Sequence, residues 1–250
     1  MADLTDQTAL VTGASTGIGA AAAVALAEAG CNVGVHYYRS ESAAKNVART
    51  IQQIGREATI KKADITDPDQ VRDMVRRFVK TFGRIDILFA NAGGLIKRSP
   101  IAKMPDRLWH QVIALNLDSV FYTVRAALGP MLKRKRGNVI VNASVAARSG
   151  GGGNSVHYAT AKGALVTFVK GLAKEVAAEG IRVNAVAPGV TLTPFHDKAT
   201  EPARMKRFKA SIPIGKFGEV DDVARAVVWL AGETDGFITG ETVYIAGGGV

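Results

Sequence analysis

Cysteine is nearly absent: Cys31 stands alone among 250 residues, so no internal disulfide can form. Metal-ligand spacing is missing too. The four histidines, His36, His110, His157 and His196, show no such spacing with one another or with Cys31, and no catalytic metal is expected. The opening MADLTDQTAL carries Asp3 and Asp6 where a secretory leader would need a basic and then an apolar stretch, which predicts a protein of the reducing cytosol. Apolar runs such as Ile18 to Leu26 end at a charge or a glycine well short of the roughly 20 residues a bilayer span needs, so no membrane crossing is expected. No linker, repeat or low-complexity stretch divides the chain, and a single domain over residues 1–250 is the expectation.

What is present is an ordinary globular composition, 47% hydrophobic and 22% charged, long enough to bury a large core. The 32 basic residues exceed the 22 acidic ones, for a net charge of +10. Such a balance suits nucleic acid, an anionic cofactor or substrate, or solubility alone. A nucleic-acid binder concentrates its charge on one helix, face or tail, whereas these residues are spread, and no nucleic-acid partner is expected. The one dense run, Lys133 to Arg136, sits where a long helix should end before Gly137, a placement that suits the helix dipole and a glycine cap.

Short apolar runs alternate with segments of helical period. Strands are expected at Thr8 to Thr12, Cys31 to Tyr37, Ala58 to Lys62, Ile85 to Ala90, Asn138 to Asn142, Arg182 to Val186 and Thr242 to Ile245, with helices filling most of the gaps. Connections of this length are what parallel pairing requires, and strands such as ILFAN and VIVNA are apolar on both faces. The expected fold is therefore α/β, a doubly wound sheet of seven parallel strands with helices on both faces. Ligands of such sheets bind beyond the carboxyl ends of the strands, just after Thr12, Ala90, Asn142 and Val186.

The first such turn reads Thr12-Gly13-Ala14-Ser15-Thr16-Gly17-Ile18-Gly19 and runs into the alanine-rich helix Ala20 to Ala29. Its glycines permit a sharp turn and let a pyrophosphate approach amide hydrogens at the positive end of a helix, although close helix packing also uses glycine. The TGxxxGIG spacing resembles the cofactor turn of the short-chain dehydrogenase/reductase family, and further segments match in order. Asp64-Ile65 follows the third strand and Asn91-Ala92-Gly93 the fourth, Asn116 lies in the next helix, and Ser144 follows the fifth strand. Tyr158 and Lys162 form a Y-x-x-x-K pair, and Pro188-Gly189 leads to Thr191 and Thr193 in a PGxxxT segment. The resemblance covers essentially the whole chain and is nearest to bacterial 3-oxoacyl-carrier-protein reductases and their sugar and polyol dehydrogenase relatives. One departure is Ala246, where the related reductases commonly carry aspartate.

The resemblance implies a nicotinamide-dependent oxidoreductase working on a carbonyl or alcohol. Gly13, Ser15, Thr16, Gly17, Ile18 and Gly19 would hold the dinucleotide together with Asp64, Ile65, Asn91 to Gly93, Pro188, Gly189, Thr191 and Thr193. Ser144, Tyr158, Lys162 and Asn116 would form the catalytic set. Alone, Tyr158 and Lys162 equally describe an amphipathic helix edge, Ser144 a cap, and Asn116 a buried asparagine bonding its own backbone. Reduction of a carbonyl leaves charge on oxygen that needs a proton and hydrogen-bond donors. Tyr158 and Lys162, four apart on one helix face, suit that need. An ammonium about 4.5 Å from a phenol at an effective dielectric near 20 contributes roughly 3.7 kcal/mol, which predicts a Tyr158 brought close to neutrality. His157 precedes Tyr158, but successive helical residues point about 100° apart, so it is expected to stand outside the chemistry. A member of this fold that only senses a dinucleotide would lack Tyr158 or Lys162, and both are here.

Cofactor choice is read at the end of the second strand, where an acid would favour NAD(H). The position falls on Tyr37, and Arg39 and Ser40 follow it, a pair able to hold a 2′-phosphate; NADP(H) is expected, with NAD(H) as the alternative if Arg39 is only a solvated loop residue. Lys97, Arg98, Arg148, His196 and Lys198 lie in loops beyond strand ends, and Lys97, Arg148 and His196 are the candidate contacts to an anionic substrate. A sugar acid would use them, whereas a carrier-protein substrate would bring an acidic partner to Lys133 to Arg136. The resemblance further implies a substrate lid at about 190–215 and a homotetramer formed through helices Asp106 to Arg134 and His157 to Glu179.

Overall fold

The computed structural model describes residues 2–193, 202–232 and 236–249. Seven short runs, rich in valine, isoleucine, threonine and alanine, form strands β1 (Thr8–Val11), β2 (Asn32–Tyr37), β3 (Ala58–Lys62), β4 (Ile87–Ala90), β5 (Gly137–Asn142), β6 (Ile181–Pro188) and β7 (Thr242–Ile245). They lie in one parallel sheet in the order β3-β2-β1-β4-β5-β6-β7, with Val11 between Val35 and Phe89. The order reverses between β1 and β4, which opens a crevice at their carboxyl ends.

Helices cover both faces. One face receives α1 (Gly17–Glu28), α2 (Glu41–Gln53) and a helix at Val220–Gly232, and the other receives α3 (Pro68–Phe82), α5 (Ser119–Arg134) and α7 (Val156–Val176). Successive strand residues point to opposite faces, so Leu10 and Leu88 enter one core while Ala9, Val11, Ile87 and Phe89 enter the other. Both sets are buried, which is why the strands read as continuously apolar. The remaining helices are α4 (Asp106–Ile113), α6 (Ala146–Ser149) and α8 (Pro202–Ala210), and the Val220–Gly232 helix is α9.

Two local expectations change, and one helical segment has a composition that the short apolar runs did not suggest. Asp106 to Arg134 is not one regular helix, because Ala114–Asp118 winds as a π-helical stretch between α4 and α5, with Asn116 inside it. Helix α5 is capped not by Gly137 but by Lys135, in the left-handed region at φ 50°. Gly137 begins β5 instead, where a side chain would meet Met131 Sδ at 2.6 Å. Finally, Asp106–Arg134 is long and apolar enough, by length and composition, to cross a membrane. Its buried side, including Val120, Val124, Ala127 and Met131, packs in the sheet core.

Two buried groups complete the core. Asp86 lies between β1 and β5 and accepts from the Thr8 amide at 2.9 Å and Arg84 Nε at 2.7 Å. Cys31 is buried beneath the start of β2, and burial pushes its thiol up to about 12. Gly34 sits at a close helix-to-sheet contact, because a Cβ there would come within 2.5 Å of the buried Phe78 ring on α3. Gly34→Ala should therefore destabilise the fold by about 1–3 kcal/mol. Urea unfolding checks this, and an unchanged midpoint would show that the ring has room to yield.

Candidate active site

The crevice at the carboxyl ends of the strands has a volume of about 1210 Å³. Its walls are tied together by amides. Thr12 Oγ1 accepts from the backbone amides of Asn91 and Ala92 at 2.9 and 3.0 Å. Asn91 Nδ2 donates to Thr12 O at 2.9 Å, and Asn91 Oδ1 accepts from Asn142 Nδ2 at 2.8 Å. Helix α1 begins at Gly17, earlier than the expected Ala20, so its positive end faces the crevice. Gly13 adopts φ 63°, and a Cβ on Gly19 would strike Gly13 O and Asn91 Nδ2. The two glycine roles thus coincide: the turn is packed against β4, and its outer amides are left open.

Each residue expected to hold a dinucleotide borders this crevice: the Gly13 and Ser15 to Gly19 turn, Tyr37, Arg39, Ser40, Asp64, Ile65, Asn91 to Gly93, Pro188, Gly189, Thr191 and Thr193. The residues present fit such a group. The open amides at α1 suit a pyrophosphate, and Asn142 Oδ1 is a buried acceptor without a protein partner at the inner end, suited to a hydroxyl or carboxamide.

Ser144, Tyr158 and Lys162 also border the crevice, and Tyr158 and Ser144 share a hydrogen bond. Lys162, 3% exposed, donates to Asn142 O at 2.6 Å, and its Nζ stands 5.7 Å from the centre of the Tyr158 ring. Burial lowers the Lys162 ammonium to about 8. Burial likewise raises the Tyr158 phenol, against the smaller lowering by the Ser144 hydrogen bond. This reverses the expected direction: counting only the attraction of Lys162 omitted the penalty of burying a phenolate. Asn116 stands one layer behind the crevice, fully buried, with Nδ2 donating to Gly94 O at 2.7 Å and to Val112 O at 2.9 Å. A Cβ on Gly93 would lie 2.7 Å from Asn116 Oδ1 and 3.4 Å from Lys162 Nζ, so a glycine there lets the two approach.

The expected substrate contacts fare differently. Lys97 is exposed and does not border the crevice; its neighbour Arg98 does. Arg148 is also off the crevice wall, with its guanidinium stacked 3.6 Å over the Tyr244 ring, an apolar and polarisable partner that holds it aside. Neither expected contact is thus brought to the crevice wall. His196 and Lys198 lie outside the described residues. Among the described residues no group of three or more His, Cys, Asp or Glu is arranged to hold a metal.

Sequence reasoning missed His36. It is 2% exposed, its Nδ1 accepts from Gly13 N at 3.0 Å, and its Nε2 bonds Ala63 O at 3.1 Å. Together these bonds require the neutral ring with its hydrogen on Nε2, and they join the glycine turn to the segment leading into Asp64.

Comparison with known proteins agrees with this geometry. A family described as enoyl-(acyl carrier protein) reductase matches residues 13–249. An uncharacterized oxidoreductase, YgfF of Escherichia coli K12, is 39% identical over 96% of this chain and 98% of its own. The 3-oxoacyl-[acyl-carrier-protein] reductase FabG of Staphylococcus aureus Mu50 is 36% identical over 97% of both. Among solved structures, a short-chain dehydrogenase from Burkholderia cenocepacia in complex with NADP has a TM-score of 0.91 at 32% identity, over 98% of both chains. The match over almost the whole chain, on a seven-stranded doubly wound sheet with a crevice at its carboxyl edge, makes this a nicotinamide-dependent oxidoreductase. The chain belongs to the short-chain dehydrogenase/reductase family, whose members act on CH–OH and C=O groups.

The His36 geometry carries a pH dependence. Burial holds the imidazole below its ordinary 6.5, so the neutral form is favoured on folding. That preference leaves stability intact above 6.5 and removes it as pH falls through the folded value. His36→Asn, which keeps an acceptor near Gly13 and cannot titrate, should lose less stability than the wild type on acidification. Parallel stability-against-pH curves for the two proteins would contradict the assignment.

Proposed function

We propose that the protein is an NADP(H)-dependent reductase of a ketone, of the 3-oxoacyl type or similar, yielding a secondary alcohol through Ser144, Tyr158, Lys162 and Asn116. The observation that carries this reading is the Ser144–Tyr158 hydrogen bond beside the buried Lys162 ammonium, at the wall of the dinucleotide crevice. When bound, a nicotinamide supplies the hydride to the carbonyl carbon. Ser144 donates to the carbonyl oxygen and polarises it. Tyr158 is protonated at neutral pH because burial raises its pKa, the form needed to hand a proton to the developing alkoxide. Lys162, still charged below about 8, faces the phenolate that remains. Asn116, through its contact with the Gly93–Gly94 loop, keeps the lysine side of the site in place.

The reading of the substrate rests on the crevice wall. Leu95, Ile96, Phe208 and Ile212 line it and suit a hydrocarbon chain better than a sugar. Phe208 and Ile212 come from α8 and its end, which supports a lid at about 190–215 in a single catalytic domain over residues 1–250. A carrier-protein partner is consistent with the exposed Lys133 to Arg136 run and with the name of the staphylococcal relative. A homotetramer is proposed on the exposed Phe121 and Leu132 of α5, and a cytoplasmic location on the lone, buried Cys31.

For the cofactor, NADP(H) is favoured because the acid position at the end of β2 is occupied by Tyr37 rather than a carboxylate. Glu41 bonds Tyr37 and is neutralised by Lys45 at 2.7 Å, which leaves Arg39 and Ser40 to meet a 2′-phosphate. Tyr158→Phe should fold, bind NADPH as the wild type does and lose at least about 100-fold in kcat. Near-wild-type turnover would remove Tyr158 from the chemistry. Arg39→Ala should lower kcat/KM with NADPH at least about tenfold while leaving NADH nearly unaffected. A wild-type preference for NADH would sink the cofactor assignment.

A further inference from the structure

His157 lies on the helix that carries Tyr158, and the mechanism above does not use it. It is fully buried, and its Nε2 bonds the carbonyl of Lys97 at 2.9 Å while Nδ1 has no partner. A carbonyl only accepts, so the ring carries its hydrogen on Nε2. The residue whose carbonyl it holds closes an unusual turn through its own N–H. Lys97 N donates to Leu95 O at 2.8 Å, and Ile96 between them has φ 63°. A bond from residue i to i+2 around a positive φ is the rarer, strained form of γ-turn, and a β-branched residue adopts that φ only when its surroundings impose it. Ile96 borders the crevice.

The next two residues are tied to the same partner loop. Arg98 Nη1 donates to Gly152 O at 2.6 Å and Gly153 O at 3.1 Å, and Ser99 N donates to Asn154 O at 2.9 Å. Asn154, too, is left-handed, at φ 64°. The loop after β4 and the loop after β5 thus form one wall, and His157 is its buried side-chain pin. We propose that His157 is a positioning residue for substrate recognition: its Nε2–H holds the strained turn that presents Leu95 and Ile96 to the substrate. The inference rests on the carbonyl-reductase reading for its substrate and on the turn geometry for its mechanism.

Four forms decide it: wild type, His157→Leu, His157→Asn and His157→Gln. Glutamine carries an amide donor near the Nε2 position, asparagine carries one near Nδ1, and leucine carries none. With NADPH and ethyl 3-oxobutanoate, the Leu and Asn variants should raise the KM for the oxo ester about tenfold, with kcat reduced less and NADPH affinity unchanged, and Gln should recover most of the loss. Hydrogen exchange at the Lys97 and Ser99 amides should quicken at least about tenfold in Leu and Asn and return in Gln. If Leu does not fold, the comparison of Asn with Gln carries the test. Unchanged exchange in Leu and Asn, an unchanged KM, or a Gln variant as impaired as Leu overturns the proposal. A wild type without turnover on the oxo ester would count against the ketone reading, and the exchange result would then decide the pin alone.

Discussion

Asn91 is the point on which the site turns. One primary amide at the end of β4 donates to the end of β1 on one side and accepts from Asn142 at the end of β5 on the other. The backbone oxygen of Asn142 in turn receives the Lys162 ammonium. Three adjacent strand ends and helix α7 are therefore held in one register by short, part-buried polar contacts, each stronger and harder to replace than at the open surface. The glycine turn can close on β4 because Asn91 Nδ2 also reaches Gly13 O at 3.3 Å and Gly19 leaves the space.

The same low dielectric explains the electrostatics. A buried ammonium and a partly buried phenol each shift toward the neutral form, one downward and one upward. In the proposed mechanism the phenol keeps the proton it has to give, which a site that had already ionised it would lack.

The fold was legible because its signal is redundant: alternate residues of β1 and β4 are apolar on both faces, so the strands announce themselves without knowledge of partners. Tyr158 and Lys162 could be paired because helical spacing puts them on one face, while their role was suggested only by the resemblance of the surrounding motifs. His36 was not, because its bond to Gly13 spans 23 residues and exists only once β1 and β2 lie side by side. Loop residues were harder still. Lys97 and Arg98 are neighbours of like charge, yet only Arg98 borders the crevice, and that choice is made by the strained turn at Ile96 rather than by any periodicity. The same is true of Arg148, whose stacking on Tyr244 depends on a strand almost a hundred residues further on. The π-helical stretch was visible only as an asparagine out of place among good helix formers.

Cys31 leads to a practical consequence. Its thiol is sealed beneath β2 and pushed up to about 12, so the nucleophilic thiolate is all but absent near neutral pH. The native chain is thus chemically silent toward maleimides and iodoacetamides while folded. A single cysteine placed by mutagenesis on the rim of the crevice would take a fluorophore or spin probe selectively, without removal of the natural one, and the awakening of Cys31 itself would then report unfolding in the same tube.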